Sequence, residues 1–195
     1  AKFPVQTRTT LEGVELENAN GETCGGSLAN SFAHSCNTVF APLGAELGAQ
    51  RLYRAAVAFG FNEKPALQGQ QASSIPPAEE LGDDLGVGST AIGQGRLLAT
   101  PVHLATVAAA IANDGELVRP TVLKGGRTKR SRATEPRVAR TIERFMRRVV
   151  SDGTGTAAKI EGVVVAGKTG TAELRDTTPD PEEGALAPDG SPKPV

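Results

Sequence analysis

The sequence has almost no charge excess, no long apolar run and little cysteine, and each shortage excludes something. Net charge is −1 over 195 residues, so no global electrostatic case exists for a nucleic-acid partner. No apolar stretch approaches the roughly 20 residues that cross a bilayer. There are two cysteines, Cys24 and Cys36, and that number alone does not define a redox compartment. They can pair and pin the segment between them, or stand as two buried thiols; both alternatives stay open here. The carboxylates are scattered without a pairing that suggests acid–base work. His34 and His103 form no evident Ser/His/Asp set, and His103, inside an amphipathic pattern, reads as structural. The opening "AKFPVQTRTT" lacks an initiator methionine, as an internal piece of a longer polypeptide would.

What is present suits one domain or a large part of one. Apolar residues make up 38% of the chain, enough for a core, although only 4% are aromatic. Charge is segregated: residues 124–148 carry a net +8 and residues 173–189 a net −5. Solvated surface and an acidic loop are the simplest readings of these blocks, with a basic face near anionic lipid as the alternative for the first.

Residues 1–26 read as extended and turn-rich, because Val14 and Leu16 alternate with Glu15 and Glu17 before the turn "NANGE". Ser27 is a suitable N-cap for a helix carrying Leu28 and Phe32 on one face. A second helix follows with Val39, Phe40, Leu43 and Leu47, and a third covers 49–59. Residues 65–90, rich in proline and glycine, read as a long irregular connection. Thr100 and Pro101 are an N-cap and first-turn pair for a helix with Leu104, Val107, Ala108 and Ile111 on its inner face, stopped by Gly115. A further helix begins near Thr134, with Pro136 in its first turn; it carries Val138, Ile142, Phe145, Met146 and Val149 inward and the arginines largely outward, and ends before Gly153. The acidic, proline-rich residues 175–195 have little to bury and read as a loop or tail, separate from a domain portion at 1–174.

Two polar clusters carry the chemistry. Ser35-Cys36-Asn37 offers a hydroxyl and a carboxamide two residues apart between helices. Lys168-Thr169-Gly170-Thr171 follows the apolar run Val163–Ala166 and reads as part of a central strand. Alternation would put Lys168 and Gly170 on one face, Thr169 and Thr171 on the other. Gly170 removes a side chain, so a ligand can lie against the backbone. Lys168 adds a charge suited to a carboxylate. Together they describe a strand that receives an anionic peptide end.

"SCN" followed about 130 residues later by "KTGTAE" resembles the S-x-N and K-T-G motifs of penicillin-binding proteins and serine β-lactamases. "STAIGQGRLLATPVHLATVAAAIANDG" and "SDGTGTAAKIEGVVVAGKTGTAE", in this order, are similar to segments of the monofunctional, membrane-anchored transpeptidases. The resemblance implies an α+β fold, with an antiparallel sheet bearing K-T-G, an all-helical subregion bearing S-x-N, and the site between them. It implies that Ser35 relays a proton, Asn37 binds the substrate amide, and Lys168 attracts the terminal carboxylate. Thr169, Gly170 and Thr171 would line the strand, with the Thr171 N–H in the oxyanion hole. It also implies no cofactor or metal, a D-Ala-D-Ala stem peptide and β-lactams as ligands, a glycosyltransferase partner, and a place on the outer face of the bacterial membrane through an N-terminal anchor.

The family's nucleophile, the serine of S-x-x-K, has no counterpart here: no serine has a lysine three residues on. Thr156 does, in "TAAK", but that stretch matches the approach to K-T-G. The fold is therefore expected to be incomplete at both ends, with the remainder of the domain as a partner. A sensor of β-lactams or muropeptides, or a cell-wall scaffold without turnover, is the alternative function.

Overall fold

The computed structural model describes residues 2–65, 67, 69–125 and 128–171. The expected tail at 175–195 lies outside the described residues.

Residues 2–27 are largely extended, as their alternation predicts. Strands β1 (Lys2–Gln6), β2 (Arg8–Leu11), β3 (Val14–Glu17) and β4 (Cys24–Ser27) form two antiparallel ribbons, β1 with β4 and β2 with β3. A third ribbon pairs β5 (Glu116–Val118) with β6 (Arg130–Arg132). Among the described residues there are six α-helices: α1 (Leu28–Ala33), α2 (Asn37–Leu47), α3 (Ala49–Ala58), α4 (Asp84–Ala91), α5 (Pro101–Ala112) and α6 (Pro136–Asp152). The expected caps are in place. The Ser27 hydroxyl accepts from Asn30 N and the Thr100 hydroxyl from His103 N, each satisfying an orphan helix donor.

α4 corrects the expectation of an irregular 65–90. Its sequence, DLGVGSTA, has two glycines, a serine and a threonine, and is a poor helix former by propensity. Tertiary packing overrides that weakness. A Cβ on Gly88 would lie 2.9 Å from the Ala41 carbonyl oxygen, and one on Gly44 would lie 2.2 Å from the Ala91 Cβ. Small residues on both helices thus let the α2 and α4 backbones approach closely. Asp83 caps the helix by accepting from Gly86 N.

Cys24 and Cys36 form a disulfide that ties β4 to the start of α2. Both are buried and, with Val39, Phe3 and Leu43, make one small core. Ile75, Leu81 and Val87 make another, covered by residues of α3 including Leu52, Tyr53 and Ala56. At the α1–α6 contact, Phe32 packs on Phe145 with ring centroids 5.8 Å apart. Gly153, just past α6, has no room for a side chain: an added Cβ would sit 2.2 Å from the Ala33 carbonyl oxygen at the end of α1.

Three further expectations need correction. Leu104 is 53% exposed and Ala110 is buried, so the inner face of α5 is rotated from that predicted; on α6 Met146 and Val149 are buried as expected, but Val138 is 41% exposed and Ala139 is buried in its place. The K-T-G segment is not a central strand among the described residues. Ile160 and Val163 make an isolated bridge, Val164 is 74% exposed, and Gly167 N donates to Met146 O of α6 rather than to a sheet. Its apolar run reads as a buried strand, but no described strand lies beside it.

His103 is structural. Nε2 lies 2.9 Å from Phe59 O, and the ring meets Phe61 edge-on with centroids 4.6 Å apart.

Candidate functional site

Ser35 stands at the end of α1 in a conformation that needs explaining. Its φ is 55°, the left-handed region that glycine usually fills at helix ends. Two hydrogen bonds close the turn: Ser35 N donates to Phe32 O at 3.2 Å, and Cys36 N donates to Ser31 O at 2.9 Å. This is a Schellman ending with serine in the glycine position. A non-glycine residue held there costs on the order of 1 kcal/mol. The turn aims the hydroxyl into a cleft and passes the chain straight into α2, whose first residue is Asn37.

Lys168 reaches the same place from the far end of the chain. Its Nζ donates to Ser35 Oγ at 2.7 Å across 133 residues, and to Thr169 O at 2.9 Å. The ammonium also stands 5.8 Å from the centroid of the Phe32 ring, within cation–π range. The lysine's surface is partly open, yet its amine is crowded by the cleft wall. That desolvation holds its pKa below the ordinary lysine value of 10.5.

The K-T-G segment is fastened at several points. Thr154 N donates to Ala33 O at 3.0 Å, and the Thr154 hydroxyl is hydrogen-bonded to the Thr169 hydroxyl. One threonine therefore joins the end of α1 to the segment carrying Lys168. On the opposite wall, Gln94 Nε2 donates to Thr171 O at 3.1 Å. Sequence reasoning assigned roles to neither Thr154 nor Gln94. Both lie inside stretches whose resemblance was noted, GTGTAA and AIGQG, but nothing in their spacing marks them as contacts of K-T-G.

All six residues expected at the site, Ser35, Asn37, Lys168, Thr169, Gly170 and Thr171, line one cleft of about 570 Å³. That volume falls within the range of ligand pockets. Strand alternation would have split the last four between two faces; the unpaired backbone puts all four on the cleft. Asn37 does not bond Lys168. Its Nδ2 donates to Glu17 O at 3.0 Å, which leaves its second N–H and Oδ1 to other partners. Phe32, Phe40 and Ile92 supply apolar wall, and Asn20, Glu22 and His34 supply polar wall. A second cavity, about 70 Å³ between α5, β5 and the segment that follows α3, lies beside His103 and the Arg119–Glu63 ion pair and is too small for a peptide.

The arrangement can do three things. A cation sits where an anionic ligand terminus can reach it, a hydroxyl is held against that cation, and the Asn37 carboxamide lines the same cleft from the start of α2. Because Nζ donates to Ser35 Oγ, the Ser35 proton is directed away from Lys168 and is available to a third group. Among the described residues, no three His, Cys, Asp or Glu side chains are placed to hold a metal ion. Nor is any described helix long and apolar enough to cross a membrane.

The chain is 37% identical over 201 residues to the peptidoglycan D,D-transpeptidase PbpA of Mycolicibacterium smegmatis, covering 91% of this chain and 40% of that protein. It thus spans well under half the length of that curated relative. The D,D-transpeptidase domain of a peptidoglycan glycosyltransferase from Eggerthella lenta superposes with a TM-score of 0.81 at 31% identity, covering 90% of this chain and 49% of that one. Penicillin-binding protein A from M. tuberculosis, solved as its imipenem acyl-enzyme complex, superposes at 0.78 with 31% identity, over 88% of this chain and 43% of that one. These likenesses show a penicillin-binding transpeptidase fold. The family model for the penicillin-binding protein transpeptidase domain matches residues 2–185, and the chain belongs to that family.

Proposed function

We propose that this chain is the S-x-N and K-T-G portion of a D,D-transpeptidase that joins peptidoglycan stem peptides through an acyl-serine ester. The observation that carries the reading is the 2.7 Å contact of Lys168 Nζ with Ser35 Oγ in the common cleft. The nucleophile is the serine of an S-x-x-K motif elsewhere in the gene product. Its oxygen attacks the carbonyl carbon of the penultimate D-Ala, the peptide bond to the terminal D-Ala breaks, and the leaving amine takes a proton relayed through Ser35. An amine on a second stem peptide then attacks the ester, and the serine oxygen leaves and regains its proton. Lys168 draws the substrate's terminal carboxylate. Asn37 orients the peptide amide, Gly170 leaves the backbone open to it, and the Thr171 N–H stabilises the developing oxyanion. The Thr169 and Thr171 hydroxyls complete the carboxylate's surroundings. β-Lactams take the place of the acyl donor. The enzyme works on the outer face of the bacterial membrane, held by an N-terminal anchor, beside a glycosyltransferase that supplies the glycan strands.

The test is release of D-Ala from a diacylated D-Ala-D-Ala peptide by the full-length gene product, followed against pH. Lys168 must be charged to bind the carboxylate, and its pKa in the free cleft is lowered by desolvation. Carboxylate binding is therefore fully present below that lowered pKa and is lost above it. The expected result is a kcat/KM that falls about tenfold per pH unit on an alkaline limb positioned below the free-lysine value. Lys168→Arg, charged at every accessible pH, removes that limb. Absence of D-Ala release overturns the reading, whereas binding of the peptide or penicillin without turnover indicates a sensor or scaffold.

A further inference from the structure

α2 begins without a cap of its own. Its N-cap is Cys36, whose sulfur is committed to Cys24, and no side-chain hydrogen bond forms there. The first turn of a helix nonetheless exposes backbone N–H groups that need acceptors. One is supplied from a distance: Thr38 N donates to Asn18 Oδ1 at 3.0 Å, twenty residues upstream. Asn18 is 3% exposed, and its other carboxamide atom is also used. Nδ2 donates to Gln6 O at 3.0 Å and to Glu22 O at 2.8 Å, and its backbone N donates to Thr7 O at 3.1 Å. Both side-chain polar atoms of a buried asparagine are thus satisfied, which makes the network costly to disturb.

The neighbouring residue completes a clamp. Glu17 O accepts from Asn37 Nδ2 at 3.0 Å. Glu17, the last residue of β3, and Asn18 just beyond it therefore hold two successive residues at the start of α2. The Asn18 bond fixes where the helix begins, and the Glu17 bond fixes the rotation of the Asn37 carboxamide. One Asn37 N–H is taken up, so the second N–H and Oδ1 are the atoms offered to a ligand. The Asn18 bond to Glu22 O ties in the loop that contributes Asn20 and Glu22 to the cleft.

We propose that Asn18 is a positioning residue for acylation, acting through Asn37. It sets the register of the S-x-N wall against Lys168 and touches no substrate itself. This rests on the transpeptidase reading of the cleft. Small displacements of a substrate-orienting group are costly in rate, because the reacting geometry must be held closely.

The test is a double-mutant cycle in the full-length gene product, read as the second-order rate constant for acylation by fluorescent penicillin, with folding followed in parallel by urea denaturation. Asn18→Ala is expected to slow acylation about tenfold. In the Asn37→Ala background the same change is expected to cost less than about twofold, since the group it positions is gone. Should Asn18→Ala fail to fold, Asn18→Asp retains the acceptor for Thr38 N and is expected to show the same dependence on Asn37 with a smaller loss. Equal losses in both backgrounds, or an Asn18→Ala rate within about twofold of wild type, overturn the proposal. If Asn37→Ala itself acylates normally, the transpeptidase reading of the cleft falls and the positioning role with it. If Asn37→Ala is slow while Asn18→Ala is normal, only the positioning role falls.

Discussion

Replacing Lys168 by alanine in the full-length gene product is expected to lower the second-order rate constant for penicillin acylation by about 10²- to 10³-fold. Two losses contribute. The cleft loses the ammonium that draws the ligand's carboxylate, a charge that acts strongly because the surrounding wall has partly stripped it of water. Ser35 loses the donor at 2.7 Å that turns its own proton toward the reacting centre. Folding stability should change by only about 0.5 kcal/mol, since the lysine side chain is partly exposed and holds no core contact together. Lys168→Arg should recover binding more than turnover, because a planar guanidinium keeps the charge but cannot copy the amine's contact with Ser35. Stopped-flow acylation alongside urea denaturation checks both parts. A loss below about tenfold would remove Lys168 from the mechanism.

The second large effect concerns the disulfide. Cys36 lies between Ser35 and Asn37, and its bond to Cys24 closes a short loop, with a sequence separation of 12, that contains all of α1 and Ser35. Cross-linking a loop of this size restricts the unfolded chain by about 3 kcal/mol. Replacing both cysteines by alanine is expected to lower the melting temperature by about 5–10 °C in scanning calorimetry. The change should also loosen the Ser35 turn, whose left-handed φ depends on the fixed end of α1. Acylation should therefore slow by a few-fold at a temperature where the variant remains folded. A melting point within about 2 °C of wild type would show that the buried contacts of Val39, Phe3 and Leu43 hold this region without the bond.

Much of the helical scaffold was legible because its signals are local. Ser27, and Thr100 with Pro101, are caps whose chemistry operates within three residues, and the structure places them where expected. α4 was not legible, because its glycines argue against a helix until the facing Gly44 and Ala41 of α2 are known. The strand expected at K-T-G failed for a related reason. An apolar run states that something should be buried, not which segment buries it, and Val163 and Val164 have no described strand beside them. The contact of Lys168 with Ser35 was legible only through family resemblance. No spacing rule brings residues 133 apart together. Asn18 was hidden within a polar turn, since a buried, fully bonded asparagine looks the same in sequence as a solvated one.

The proposed function requires that Lys168, Ser35 and Asn37 serve a serine nucleophile in another part of the polypeptide. The most direct test is to treat the full-length gene product with benzylpenicillin, digest it, and locate the adduct by mass spectrometry. The predicted result is a single penicilloyl ester on the serine of an S-x-x-K motif N-terminal to Ser35, formed slowly or not at all in Lys168→Ala. No adduct, or an ester on Ser35 itself, would contradict the account.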